Sequence, residues 1–339
     1  MTKSFGVIGL GRMGYRTVLA GRAAGLELAT VLDSSDEPWG VTQDATLVSV
    51  LVNSMDAFLA NVPDIVAIST TADSHADLFR ALVDAGVKMV LVEKPVACSV
   101  ADGLEMVRIA KDNSINALVN HNHRCWNVLR TIRQFDGDPQ FGKLQSFVIT
   151  QGAGGLGNLG THYFDLANWM FSDTPLYVSA VGTQPESTNP RGPQFKDAGG
   201  AVLVSYPKQR RLLLEIGDDI GVIGGYEFRF ERGRVLMPFT SEPPQVFVRK
   251  PETQDLPKHF YGAALQEIPW KDFVPGDVVN HTRDVFLDLL NDRSEGGASL
   301  IDATLALEVM IAARKAIETT SVIALPLSDV DRASVYPLA

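Results

Sequence analysis

The sequence predicts an α/β domain built on a parallel sheet over residues 1–122, onto which the C-terminal segment can pack back, followed by an α+β domain with a large open, mainly antiparallel sheet over residues 123–339. Three observations carry the expectation. Short apolar runs alternate with helical periods up to about residue 122. Beyond 125, longer strand-like runs follow one another with turns between them. The chain of 339 residues is also twice an ordinary domain of roughly 100–200, so each half can bury a core of its own.

In the first domain the strand candidates are FGVIG (5–9), LATVL (28–32), LVSVL (47–51), DIVAIS (64–69), VKMVLV (87–92) and INALVN (115–120). Near-continuous apolar strands separated by helices mean a parallel sheet covered on both faces. Helical periods fall around 13–24, 54–60, 74–85 and 99–112. Ser74 with Asp77, and Ser99 with Asp102, each place a cap acceptor before a helix and a carboxylate three residues on, where the helix dipole favours it.

The second domain opens with one helical stretch, CWNVLRTIRQF (125–135). Strand candidates follow: KLQSFVIT, YVSAVGT, GAVLVSYP, RLLLEI and YEFRFERGRVLMPF. Strands in series joined by Gly, Pro and Asn turns suggest antiparallel pairing. Helices around 276–292 and 300–318 close the chain. Apolar residues on both sides of strands such as GAVLVSYP leave a sheet face for a partner copy, so a homodimer or homotetramer is expected.

Composition excludes several classes. A net charge of −10 lacks the clustered positive charge that nucleic acid or an anionic membrane surface requires. Apolar runs fall short of the roughly 18 residues of a membrane span, and no leader precedes the first strand, so a cytoplasmic location is expected. Cys98 and Cys125 have no metal-type spacing and read as buried or incidental thiols; no metal site is expected.

GVIGLGRMG sets Gly9, Gly11 and Gly14 in G-x-G-x-x-G spacing between an apolar strand and a helical period. The first glycine permits the tight turn, the second lets the backbone approach a pyrophosphate, and the third packs helix against strand. The N–H groups opening the helix then face the phosphates. Asp33 ends the second strand, 19 residues after Gly14, where a carboxylate accepts ribose hydroxyls and repels a 2′-phosphate. DSSDE offers no arginine in its place, so NAD is favoured over NADP. STTADSH and EKP follow the fourth and fifth strands, at the carboxyl ends where open parallel sheets bind ligands. Lys94, with its direction fixed by Pro95, is a candidate to face that cleft, beside the plainer reading of an exposed loop lysine. His75 reads as a cap-region residue or cofactor neighbour.

The motifs GVIGLGRMG, PDIVAISTTADSHADL, DAGVKMVLVEKP, VNHNHRCW, NLGTHYFD and ALEVMIAARKAIETTSVIALPL, in this order, resemble the Gfo/Idh/MocA oxidoreductases, the glucose-fructose oxidoreductase and inositol dehydrogenase group. The resemblance implies a Rossmann domain that holds NAD(P), then an open-sheet domain, with substrate between the two. It implies that Lys94 and His162 face the nicotinamide, and that the Lys94–Pro95 peptide is often cis. His123 and Asn158 join them as substrate contacts. Cofactor contacts are expected from Gly9, Gly11, Arg12, Met13 and Gly14, from Asp33 and Ser34, from Thr70 and His75, and from Glu93, Lys94 and Asn122. One position departs from the pattern: Asn158 stands where the family motif begins with aspartate. It keeps an acceptor but loses charge and proton-relay capacity, which leaves more of Lys94 neutral.

His162 is one of 6 histidines. On a helix from about 161 to 170, Tyr163, Leu166, Ala167 and Met170 form the apolar stripe, while His162, Asp165 and Trp169 share another side. The helix start disfavours imidazolium and Asp165 opposes that, so the ring is poised for general-base work, with Asp165 as orienting partner. Lys94 then donates to the developing oxyanion. The activity implied is a hydride transfer between nicotinamide and a secondary hydroxyl of a sugar, polyol or sugar derivative. Two alternatives stand beside it: an NAD-assisted glycosidase or eliminase that retains its cofactor, and a catalytically silent NAD-binding sensor, for which Asn158 is the motive.

Overall fold

The computed structural model describes residues 2–152, 154–183, 197–221, 224–238, 242–257, 264–293 and 296–338. In chain order it runs β1 Ser4–Ile8, α1 Arg12–Ala23, β2 Glu27–Leu32, α2 Trp39–Gln43, β3 Leu51–Val52, α3 Met55–Leu59, β4 Ile65–Ile68, α4 His75–Asp84, β5 Met89–Val92, α5 Val100–Asp112 and β6 Asn116–Val119. It continues through α6 Asn127–Gln134, β7 Leu144–Gly152, α7 Thr161–Phe171, β8 Tyr177–Thr183, β9 Gly199–Ser205, β10 Arg211–Gly217, β11 Gly225–Phe230, β12 Gly233–Pro238, β13 Gln245–Arg249 and β14 Leu265–Ile268. The chain closes with α8 Val278–Leu290, β15 Ala298–Ser299, α9 Leu300–Thr319, β16 Ile323–Ala324 and α10 Asp329–Arg332.

Two compact units result. The first comprises Met1–Cys125, Asp277–Leu307 and Ser328–Ala339; the second comprises Trp126–Gly276 and Glu308–Leu327. The division is therefore not two consecutive blocks, because α8, β15 and the start of α9 belong with the first.

Among the described residues, the first unit's sheet has the order β15-β6-β5-β4-β1-β2-β3, parallel but for the antiparallel edge strand β15. Chain direction across the sheet reverses between β1 and β4, which makes the ends of these strands the ligand-binding crevice of such a fold. Phe5, Val7, Leu10, Val18, Ile65 and Phe286 are buried in one core beneath it. Phe286, from α8, meets the Phe5 ring edge-on at 5.8 Å.

LVSVL does not form the expected strand. Asp44 accepts the Thr46 N–H at 3.0 Å and starts a 3-10 turn over Ala45–Val50, leaving only Leu51–Val52 to pair with β2. A local side-chain bond has overridden apolar β-propensity. Ser99 caps α5 as expected, accepting the Asp102 N–H at 3.0 Å. Ser74 does not cap α4. It ends a preceding 3-10 turn with helical backbone angles, and its hydroxyl turns back to the Thr71 carbonyl and Thr70 Oγ1.

The second unit's sheet has the order β14-β13-β12-β11-β7-β10-β9-β8-β16 among the described residues, every neighbouring pair antiparallel except β7 with β10. Its α7 lacks a solvated side. Residues 161–168, 170 and 171 are all buried and only Trp169 is half-buried. The expected apolar stripe is present, but Phe164 and Phe171 extend apolar surface round the helix, so His162 and Asp165 are enclosed as well.

Candidate active site

The glycine-rich turn has the geometry a dinucleotide requires. Gly9, at φ +89, donates its N–H to the Leu32 carbonyl, and a Cβ there would lie 2.9 Å from the Ser69 carbonyl. At Gly14 a Cβ would come within 1.8 Å of the Gly9 carbonyl oxygen, so only glycine lets α1 sit this close to the turn. A Cβ on Gly11 would meet nothing within 4 Å. That open space lies at the start of α1, where no side chain caps the helix and no acidic residue occupies the first turn. The first N–H groups of a helix have no intrahelical acceptor, and the dipole there attracts phosphate. Arg12 is exposed, its guanidinium 6.0 Å above the Trp39 ring, and Met13 is half-buried. Asp33 receives Leu10 N–H at 2.7 Å on one oxygen and Ser35 N–H at 2.9 Å on the other, with Ser34 exposed beside it. Each oxygen retains a lone pair for a ribose hydroxyl. The residues present thus fit NAD.

Three loops at the carboxyl end of the same sheet are tied together from beneath. His75 is fully buried, with Nε2 3.2 Å from the Thr70 carbonyl and Nδ1 3.3 Å from the Val96 carbonyl. Burial lowers its pKa, partly opposed by those carbonyls. It therefore acts as a latch between the loops after β4 and β5. Glu93 is also buried, accepting Asn120 Nδ2 at 2.6 Å and the Lys94 N–H at 3.3 Å. Thr282 of α8 accepts from Asn120 at 3.2 Å and from Asn122 at 3.3 Å. Glu93 and Asn122, expected as cofactor contacts, carry these bonds in the floor of the loops. In the same loops Lys94, whose peptide to Pro95 is cis, Thr70, and His123 in the 3-10 turn Asn122–Cys125 are half-buried.

In the second unit, a π-turn over Leu156–Gly160 runs directly into α7. Gly157 N–H and Asn158 N–H donate to the two carboxylate oxygens of Asp197 at 2.7 and 2.8 Å. His162 follows Asn158 by four residues and is 8% exposed; Asp165 is 1% exposed. Tyr206 donates to Asn168 at 2.8 Å, and burial together with the Asp165 charge pushes its phenol pKa up. Within the loops 151–160 and 184–198, residues 153 and 184–196 lie outside the described residues. An open trough of about 800 Å³ on the second sheet, lined by Val148, Glu227, Leu236 and Trp270 among others, includes none of the expected site residues. Glu242 and Glu267 also line it.

Residues 3–121 match the oxidoreductase family's NAD-binding Rossmann fold, and residues 148–325 match its C-terminal alpha/beta domain. The chain belongs to the Gfo/Idh/MocA oxidoreductase family. Among its relatives, inositol 2-dehydrogenase of Rhizobium meliloti (strain 1021) is 26% identical over 197 residues, which cover 53% of this chain and 58% of that protein. The curated relatives are matched over 46 to 63% of their lengths. Among solved structures, an NAD-binding protein from Listeria innocua superposes with a TM-score of 0.76 at 22% identity, covering 96% of this chain and 97% of that one. Levoglucosan dehydrogenase, in complex with NADH and levoglucosan, gives 0.78 at 17% identity over 96% and 100%.

Within the residues matched to the family, the chain carries the glycine fingerprint Gly9, Gly11 and Gly14, the lysine Lys94 before Pro95, and Asn158 four residues before His162. Sequence reasoning missed three residues the structure brings into play: Asp197, Asn120 and Thr282. Asp197 sits in DAGG, just ahead of a strand, and only the Gly155 that makes room for it hints at the contact. No helix among the described residues is long and apolar enough to cross a membrane, and no metal-holding cluster occurs among them.

Proposed function

We propose that this chain is an NAD-dependent dehydrogenase that transfers a hydride between nicotinamide and a secondary hydroxyl of a sugar, polyol or sugar derivative. The observation that carries the reading is the cradle at Gly11, open above an uncapped helix start, on the same sheet end as Lys94. When bound, NAD supplies the hydride acceptor. Lys94 donates a hydrogen bond to the reacting oxygen and stabilises its developing charge. His162 accepts the hydroxyl proton as general base. His123 and Asn158 hold neighbouring hydroxyls, and Asp33 takes the adenosine ribose and disfavours NADP. The protein works in the cytoplasm as a homodimer or homotetramer.

The test is NADH formation on mixing the protein with NAD and, in turn, inositol, D-apiose and levoglucosan, chosen because relatives are named for them. One of these should give net NADH, and Lys94→Ala or His162→Ala should each lower kcat by about 10²–10⁴-fold. NAD binding with no NADH formed from any of the three, and no effect of Lys94→Ala, would sink the reading in favour of a silent sensor.

A further inference from the structure

We propose that Asp197 is a positioning residue of this site, whose carboxylate supplies to the turn before His162 the negative charge that position 158 lacks. The proposal rests on the dehydrogenase reading above. Asp197 holds both the Gly157 and Asn158 N–H groups, one on each oxygen, at 2.7 and 2.8 Å. Bonds of this kind to a carboxylate are shorter and stronger than neutral ones. The next residue adds a third tie, Leu156 N–H to the Ala198 carbonyl at 3.0 Å. The carboxylate is itself anchored, because β9 begins two residues later with Gly199 and Gly200 paired to Thr183 and Gly182 of β8.

The turn is shaped to receive it. A Cβ on Gly155 would fall 2.2 Å from the Asp197 Cγ and 2.5 Å from one of its oxygens, so a glycine is required for the carboxylate to seat. The clamp fixes the backbone of Asn158, and His162 stands about one helical turn further on. It thereby sets both side chains while bringing a charge to residue 158 from outside the motif. Tight turns of the π type recur at functional sites because they re-aim side chains. A residue serving only as a cap would not be replaced by a charge on another side chain of the turn. A charge-supplying residue would be.

The experiment compares wild type, Asp197→Asn, Asn158→Asp and the double variant. It measures kcat and KM with the most active of the three sugars, NADH affinity by fluorescence, and hydrogen exchange at the Gly157 and Asn158 amides. Asp197→Asn should lower kcat about tenfold or more, leave NADH affinity within about twofold, and speed exchange at both amides. Adding Asn158→Asp to it should restore most of kcat, since the charge returns to the same turn. The proposal is overturned if Asp197→Asn keeps wild-type kcat, or if the double variant folds with wild-type melting yet turns over no faster than Asp197→Asn. If the wild type oxidises none of the sugars, the dehydrogenase reading fails and takes the catalytic half of the proposal with it; unchanged amide exchange in Asp197→Asn defeats the clamp itself.

Discussion

Gly11 and Gly14 look alike in the motif and do different things. Adding a methyl at Gly14 drives it into the Gly9 carbonyl, so Gly14→Ala should cost roughly 1–3 kcal/mol or more in urea unfolding and abolish NAD binding. Gly11 has ordinary backbone angles and open space above it. Gly11→Ala should therefore stay within about 1 kcal/mol of wild type while weakening NAD measurably by calorimetry. His75 makes a separate, pH-dependent contribution. Its folded pKa lies below the ordinary 6.5 because burial penalises imidazolium. The unfolded chain thus takes up the proton first, and stability present at neutral pH is lost as pH falls through the unfolded value of about 6.5. Melting should drop between about pH 7.5 and 5.5, and drop less in His75→Gln. Asp44, Asp64 and Glu227, whose pKa values are lowered by their hydrogen bonds, act only in a more acidic window. At this scale the glycines were legible because strand, turn and helix constrain their spacing. His75 was half legible: its place at the start of α4 was visible, its burial between two carbonyls was not.

Elements were legible wherever burial alone decides their type. IVAI and MVLV are buried strands as their apolar continuity requires, and α1, α4 and α5 fall within a residue or two of their periodic stretches. LVSVL failed because a capping aspartate outweighed propensity, and the all-round burial of α7 depends on tertiary packing that no period of its own sequence reports. That a C-terminal segment packs back on the first domain was expected, but the Thr282 contact was not legible: it meets Asn120 and Asn122 only after the chain returns from the second unit. Thr282→Val should remove the acceptor from two buried amides and destabilise by about 1–3 kcal/mol in urea unfolding.

At the scale of the whole molecule, the open face of the second sheet carries an apolar row running Leu203, Leu213 and Val148 across neighbouring strands, with Val181 on the adjacent row. Val181 is 75% exposed, Leu203 40% and Leu213 37%, more than isolated surface leucines and valines together on one face ordinarily show. If this face joins two copies, Leu203→Glu with Leu213→Glu should convert a dimer to a monomer by light scattering without loss of NAD binding; a monomeric wild type would defeat the idea. The return of α8 and β15 to the first unit has a consequence for biosynthesis. The partners of Asn120 and Asn122 lie 162 and 160 residues downstream, so a ribosome adding about 5–20 residues per second delivers them roughly 8–30 s later. The domain translated first is consequently among the last to be completed, and for that interval the nascent chain exposes the Phe5 surface that Phe286 will cover, a window in which a chaperone would find it.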